Sequence, residues 1–440
     1  MRTDAFSWLH LTDFHYGLRG QDCLWPTLRQ PFLDSLDELH DHCGRWDAVL
    51  FTGDLVQSGK SGEFAEMQAE VLGRLWDKLK ELGSGDAVLL AVPGNHDLFR
   101  REPKDEDNPA LDTLLDKDGF ARIADKFWTK SAGSYRHVIN DAFAAYSEWW
   151  NDAPYRPSNL TGGALPGDFA CTLDCGPRRI GVIGLNTTFL QLGEGDYKER
   201  LVWDARQIHT LCDNAGNGAV DDWVQHHDVC LLLTHQGPDW LTPEASKHGE
   251  SEVAPAGRFA AHLFGHQHET DFTSTSKGVG SIVRHIQGGS VFGMEKFGEP
   301  PTLHRAHGYS VGRIEFGPAE TTLRLWPRVA TNKPNRWRFI SDQENVELQA
   351  DGGTAPEVIG PTRKTVASAI VKPTITTPAQ SASPVAMPHS TLPARRSFFG
   401  RGKDLERITK WLLPEDRSWG LVIDGPGGIG KTALALEAAY

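Results

Sequence analysis

Five short apolar runs in this chain each end in a cluster of Asp, Asn or His, and that arrangement constrains the fold more than any other feature of the sequence. Residues 6–11 lead into Asp13-Phe-His15, residues 48–51 into Thr52-Gly-Asp54, and residues 87–92 into Pro93-Gly-Asn-His-Asp97. Residues 229–233 lead into Thr234-His235, and residues 262–264 into Gly265-His-Gln-His268. Runs this short suit buried strands. Residues 180–185 read as a further strand, and helical stretches separate several of the runs. Residues 63–82, for instance, carry Phe64, Met67, Val71, Leu75 and Leu79 at spacings of three and four. The alternation predicts a layered α/β domain. Residues 309–316 and 321–325 alternate like antiparallel strands, which predicts a mixed or doubled sheet.

The clusters have the composition of a metal centre. Two cations a few Å apart need a bridging oxygen ligand and enough N and O donors to complete two open coordination shells. Asp54 is the candidate bridge. Asp13, His15 and His268 would complete one site, and Asn95, His235 and His266 the other, with Gly53, Gly94 and Gly265 allowing tight turns beside the ions. A lone His at a strand end is more often a hydrogen-bonded structural residue. His10, His137, His209, His226 and His227 are read that way, and His235 has no signature beyond the strand that precedes it.

Taken in order, the clusters match the motifs D-x-H, G-D, G-N-H-D, H and G-H-x-H, and residues 6–349 resemble the calcineurin-like metallophosphoesterases. The resemblance implies a four-layer α/β/β/α sandwich with two divalent ions (Mn2+, Fe or Zn2+) at the strand ends, held as assigned above. It also implies that His96 is the catalytic imidazole and Asp97 its orienting carboxylate. The chemistry implied is metal-assisted in-line attack of water on phosphorus. The motif Gly53-Asp-Leu-Val-Gln-Ser-Gly59 ends in Gln-Ser-Gly where the Ser/Thr protein phosphatases of this superfamily have Asp-Arg-Gly, and Asp97 stands where they have Glu. The chain looks more like the class III cyclic-nucleotide phosphodiesterase and nuclease-like branches. This favours a phosphodiester substrate, a cyclic nucleotide or nucleic acid, over a phosphomonoester or phosphoprotein. A non-catalytic nucleotide sensor is the other alternative, but such a module would be expected to lose ligands, and all seven are present.

Residues 351–393 are dominated by Pro, Thr, Ser, Ala and Val and lack aromatics, so they read as a flexible tether. The organisation expected is a phosphoesterase domain over residues 1–349, a linker over 350–396, and a partial P-loop unit over 397–440. In the last, residues 421–424 read as a strand, followed by Gly425-Pro-Gly427-Gly428-Ile-Gly430-Lys431-Thr432 and an Ala/Leu-rich helix. Backbone amides of such a loop cradle the phosphates of ATP, Lys431 reaches the β- and γ-phosphates, and Thr432 holds Mg2+. The preceding segment, Phe398-Phe-Gly-Arg401-Gly-Lys-Asp-Leu-Glu-Arg, resembles the entry to STAND-type signalling NTPases, including the NACHT and NB-ARC modules. That implies an effector enzyme governed by nucleotide-dependent homo-oligomerisation, a layout found in bacterial defence. The expectation is a fragment of a longer protein without ATPase activity of its own.

Net charge is −13 over 440 residues, which argues against a broad basic surface for nucleic acid. No window approaches about 18 consecutive apolar residues, and residues 1–11 are too mixed for a secretory signal, so a cytoplasmic protein without a membrane partner is expected. Cys23, Cys43, Cys171, Cys175, Cys212 and Cys230 lack zinc-ribbon spacing and read as reduced structural thiols. Trp149-Trp150 reads as core packing, with a substrate-facing lid as the alternative, and the charge run at residues 100–107 as a solvated loop.

Overall fold

Each apolar run named above forms a strand. A computed structural model of the protein describes residues 4–361, apart from residues 20, 101–107, 131–132, 217, 277–280, 292–294, 298–301, 305–306 and 333–335. These residues all lie in the first of two units of the chain, Met1–Ala367. The P-loop residues Gly425 to Thr432, nearly all of the tether and most of the charge run lie outside the described residues.

Strands β1 (Ala5–Leu11), β2 (Ala48–Phe51) and β3 (Val88–Ala91) run parallel in one sheet. The second sheet holds β4 (Thr161–Gly162), β5 (Phe169–Cys175), β6 (Arg178–Gly184), β7 (Val229–Leu233), β8 (Ala261–Phe264), β9 (Asp271–Ser276) and β10 (Ile282–Gln287). Its order is β4-β5-β6-β7-β8-β10-β9, with β6, β7, β8 and β10 parallel. A hairpin follows, β11 (Glu295–Phe297) with β12 (Thr302–His304). The chain then returns to the first sheet through β13 (Gly308–Phe316), β14 (Glu320–Thr331), β15 (Arg338–Ser341) and β16 (Glu357–Pro361). That sheet reads β15-β14-β13-β1-β2-β3, with β16 against β14. The sheet is therefore both doubled and mixed.

Strand periodicity sorts the apolar side chains into layers. Phe6, Trp8, Ala48, Leu50 and Leu90 of the first sheet meet Ile180, Val182, Leu231, Leu233 and Leu263 of the second in one buried cluster between the sheets. Alternate residues Leu9, Leu11, Val49, Phe51 and Leu89 join a second cluster with Leu28, Phe32, Leu36, Phe64 and Leu75 from helices. Ile183 and Leu232 belong to that cluster with Ile208 and Leu211 of the helix Ala205–Asn214. Helices thus cover the outer faces of two facing sheets. Gly312, opposite Trp8 in the β1–β13 register, gives the indole room, since a Cβ there would lie 2.1 Å from the ring.

Two details depart from expectation. The helix expected over residues 63–82 is interrupted by a π-helical turn at Gln68–Leu72, between Ser61–Met67 and Gly73–Glu81. Trp149 Nε1 donates to Gln68 Oε1 there at 3.2 Å, and both tryptophans are buried, in keeping with core packing rather than a lid. Order also continues past residue 349, where the linker was expected to begin. Thr354 donates through N to Leu325 O at 2.8 Å, and β16 adds a strand that the Pro- and Thr-rich composition conceals. Among the described residues five cysteines are buried and in no disulfide, with burial pushing the Cys43, Cys171 and Cys212 thiols to about 12. No helix among the described residues is long and apolar enough to cross a membrane.

Candidate metal centre

All five polar clusters emerge at the C-terminal ends of parallel strands, β1, β2 and β3 from one sheet and β7 and β8 from the other. This is where ligands gather in parallel α/β sheets. The loops are tied to each other: Asp13 N donates to Gly53 O at 3.0 Å, His15 N to Asp54 O at 2.9 Å, and Gly265 N to His235 O at 2.9 Å. A Cβ at Gly94 would lie 2.1 Å from Asp54 Oδ1, so only glycine lets the β2 and β3 loops close on each other. Six non-glycine residues among those described have positive φ, and five are Asp13, His15, Asp54, His266 and His268.

The two carboxylates share one design. Asp13 Oδ2 accepts from His266 N at 2.9 Å and from Thr12 Oγ1 at 2.6 Å, which leaves buried Oδ1 facing His268 Nε2 at 3.3 Å and His15 Nε2 at 3.8 Å. Asp54 Oδ1 accepts from His96 N at 2.7 Å, and its Oδ2 lies 3.3 Å from His235 Nε2 and 3.9 Å from His15 Nε2. Each spends one oxygen on the backbone and aims the other inward.

The imidazoles follow suit. His235 Nδ1 donates to the Thr52 carbonyl at 2.8 Å, which turns Nε2 inward, 3.0 Å from Asn95 Oδ1 and 3.2 Å from His266 Nδ1. His15 Nε2 and His268 Nε2 approach to 3.2 Å. Donors about 2.0–2.2 Å from a common ion lie about 3 Å apart, so these close, poorly satisfied approaches fit two metal shells. The fit extends to charge. Burial lowers His15 to about 4 and His266 to about 3, keeping both rings neutral as ligands require. Burial also works against charge on His235, yet Asp54 and Asp13 raise it to about 9, so the two buried carboxylates favour positive charge at this point.

The structure therefore brings together all seven expected ligands in the expected groupings, Asp13, His15 and His268 on one side of Asp54 and Asn95, His235 and His266 on the other. His96 lies beside them, its donor atom within 4.8 Å of those of His15 and Asp54. Asp97 corrects the expectation that it orients His96. Its oxygens instead accept from Gly94 N at 2.8 Å and Val56 N at 3.0 Å, bracing the loops, and burial followed by the Asp54 charge pushes it up to about 8. Gln57 takes the orienting position: His96 Nδ1 lies 3.0 Å from its carbonyl and 3.1 Å from its side-chain amide. Arg100, read as part of a solvated run, donates through Nη2 to Asn95 O at 2.7 Å. His10 matches its structural reading, buried, 2.9 Å from Thr52 Oγ1 and lowered by burial to about 3.

Sequence reasoning also passed over a buried polar network behind the centre. Asp168 accepts from Leu165 N at 2.8 Å, Asn186 N at 2.8 Å and Gln207 Nε2 at 3.0 Å. Thr187 Oγ1 donates to Gln236 Oε1 at 2.6 Å, and Gln236 donates to Gln191. Asn186-Thr-Thr188 directly follows the apolar run at residues 180–185, the same signal that marked the five clusters.

Two facing sheets, convergent strand-end loops and a dicarboxylate–imidazole centre define a binuclear metallohydrolase. Residues 6–270 match the calcineurin-like phosphoesterase model, and the chain belongs to that family of metal-dependent phosphoester hydrolases with a dinuclear divalent metal site. No curated protein sequence matches the chain. Among solved structures it is similar to a protein described as a 5′-nucleotidase from Staphylococcus aureus, with 12% identity over 79% of this chain and 56% of that one at a TM-score of 0.34. It is also similar to a purple acid phosphatase from yellow lupin, with 11% identity over 81% and 57% at 0.37. The inner-membrane-complex anchor of Plasmodium shows 10% identity over 82% and 90% at 0.36. The chain thus spans little more than half the length of the first two, and likenesses at these scores carry no argument about substrate.

Proposed function

We propose that residues 1–349 form a two-metal phosphodiesterase. The supporting observation is Asp54, whose Oδ2 faces one donor group through His15 and the other through His235, the position of a bridging ligand. Asp13, His15 and His268 would hold one ion with Asp54, and Asn95, His235 and His266 the other, a mixed set that suits Mn2+, Fe and Zn2+ alike. Bound ions supply Lewis acidity at the phosphate oxygens and a nucleophile from water at neutral pH. His96, its Nδ1 engaged by Gln57, presents Nε2 for charge on the phosphate or for a proton to the leaving oxygen. Asp97 acts at a distance, by holding the Gly94 and Val56 amides.

The diester preference, for a cyclic nucleotide or nucleic acid, is supported by Gln57-Ser-Gly59 in place of Asp-Arg-Gly and by Asp97 in place of Glu. For residues 397–440 the proposal is a STAND-type NTPase segment that binds ATP and Mg2+ through Gly425, Gly427, Gly428, Gly430, Lys431 and Thr432. Joined by the tether, it would govern a cytoplasmic effector through homo-oligomerisation, in bacterial defence. The test is release of nitrophenol from bis-p-nitrophenyl phosphate and from p-nitrophenyl phosphate with Mn2+, beside Asp54→Asn. Release from the diester, absent in the variant, supports the reading. Preference for the monoester overturns the substrate class, and silence on both with two ions bound points to sensing.

A further inference from the structure

Arg100 follows the residues Asn95 and His96 on the loop after β3, next to Phe99, which is 46% exposed. Its guanidinium is half-buried and anchored by one bond, from Nη2 to the Asn95 carbonyl at 2.7 Å. Nε is buried without a hydrogen-bond partner, and among the described residues no carboxylate pairs with the side chain. A guanidinium has five N–H donors in a fixed fork that matches phosphate oxygens. Holding such a charge half out of water without an anion costs free energy, a cost that an anionic ligand removes. Asn95 carries the candidate ligand oxygen 3.0 Å from His235 Nε2 on its side chain and holds the guanidinium through its main-chain carbonyl, so one residue ties Arg100 to the second group of candidate ligands.

We propose that Arg100 is a substrate-binding residue that clamps a non-bridging phosphate oxygen of the phosphoester beside the Asn95 metal position. The proposal rests on the two-metal reading of the site. Its role is in recognition: the phosphate gains a charge-assisted hydrogen bond in the bound complex, while the metal shells do not need the side chain. A phosphate carrying two negative charges gains more from the clamp than a diester carrying one.

The experiment uses the full chain loaded with Mn2+ and compares wild type, Arg100→Gln and Arg100→Lys. Inorganic phosphate binding is measured by calorimetry, metal content by elemental analysis, and diester hydrolysis by KM and kcat. Expected are two ions in all three proteins, phosphate affinity about tenfold or more weaker in Arg100→Gln, and an increase in KM larger than any loss in kcat. Arg100→Lys should recover part of the affinity, because it keeps the charge without the fork. Unchanged phosphate affinity in Arg100→Gln would overturn the proposal. So would loss of metal in step with phosphate, since Arg100 would then be a strut for Asn95. If Arg100→Gln does not fold, Arg100→Lys decides, with undiminished affinity counting against the clamp. A wild-type protein that binds phosphate but hydrolyses neither ester would sink the hydrolase reading and leave this one standing.

Discussion

Two buried polar clusters adjoin at the C-terminal ends of the parallel strands, and they differ in what their atoms have left to give. Around Asp168, donors and acceptors close on one another: the carboxylate accepts three hydrogen bonds, and Asn186, Thr187, Gln191, Gln207 and Gln236 complete the set. Around Asp54, imidazole nitrogens face each other at 3.2 Å and the inward oxygen of Asp13, Oδ1, is buried without a hydrogen-bond partner. A buried network satisfied within the protein reads as structure. One whose lone pairs converge reads as a place for something positive. His235 and Gln236 are neighbours in sequence, yet one faces each cluster.

The sharpest way to break this contrast is Asp54→Asn. It should remove both ions, read by elemental analysis, and lower kcat/KM about 10³-fold or more, while far-ultraviolet circular dichroism stays native. Retention of both ions would show that Asp54 is not the bridge. His96→Ala comes next: kcat should fall about 10²-fold or more with metal content intact, and full turnover would remove its catalytic role. On the other side of the comparison, Gln207→Ala strips a donor from Asp168 and from the end of the Asn186 loop. It should cost about 1–3 kcal/mol in denaturant unfolding and leave metal binding unaltered; a loss of metal would merge the two clusters into one unit.

The smallest effect concerns pH. Burial raises the Asp168 carboxyl to about 7, against the opposing hydrogen bonds from Asn186, Leu165 and Gln207. A folded-state value above the unfolded one means that the native state holds a proton the unfolded chain releases, so the stability this group contributes is lost as pH rises from about 4 to about 7. Asp168→Asn should flatten the dependence of Tm on pH across that window, and an unchanged slope would assign it to another group.

Strands and the convergence of the candidate ligands were legible because both leave local signals. A run such as 229–233 is apolar throughout since it is buried on both faces, and a metal ligand must directly follow such a strand to reach the shared point. The orienting role of Gln57 was not legible, because it depends on where the β2 and β3 loops cross, a non-local fact. Asp97 misled for the same reason, as adjacency in sequence to His96 carried no information about direction. The strand Glu357–Pro361 was hidden because its partner β14 supplies the order that its composition lacks.

The left-handed backbone at Asp13, His15, Asp54, His266 and His268 sets the chain's function against its durability. That conformation costs an L-residue about 1–2 kcal/mol relative to glycine, so glycine at any of these positions would relax the loop while deleting a candidate ligand. Selection for thermal robustness alone should therefore erode this centre first, and heat-hardened, inert descendants would be recognisable by glycines at these five positions.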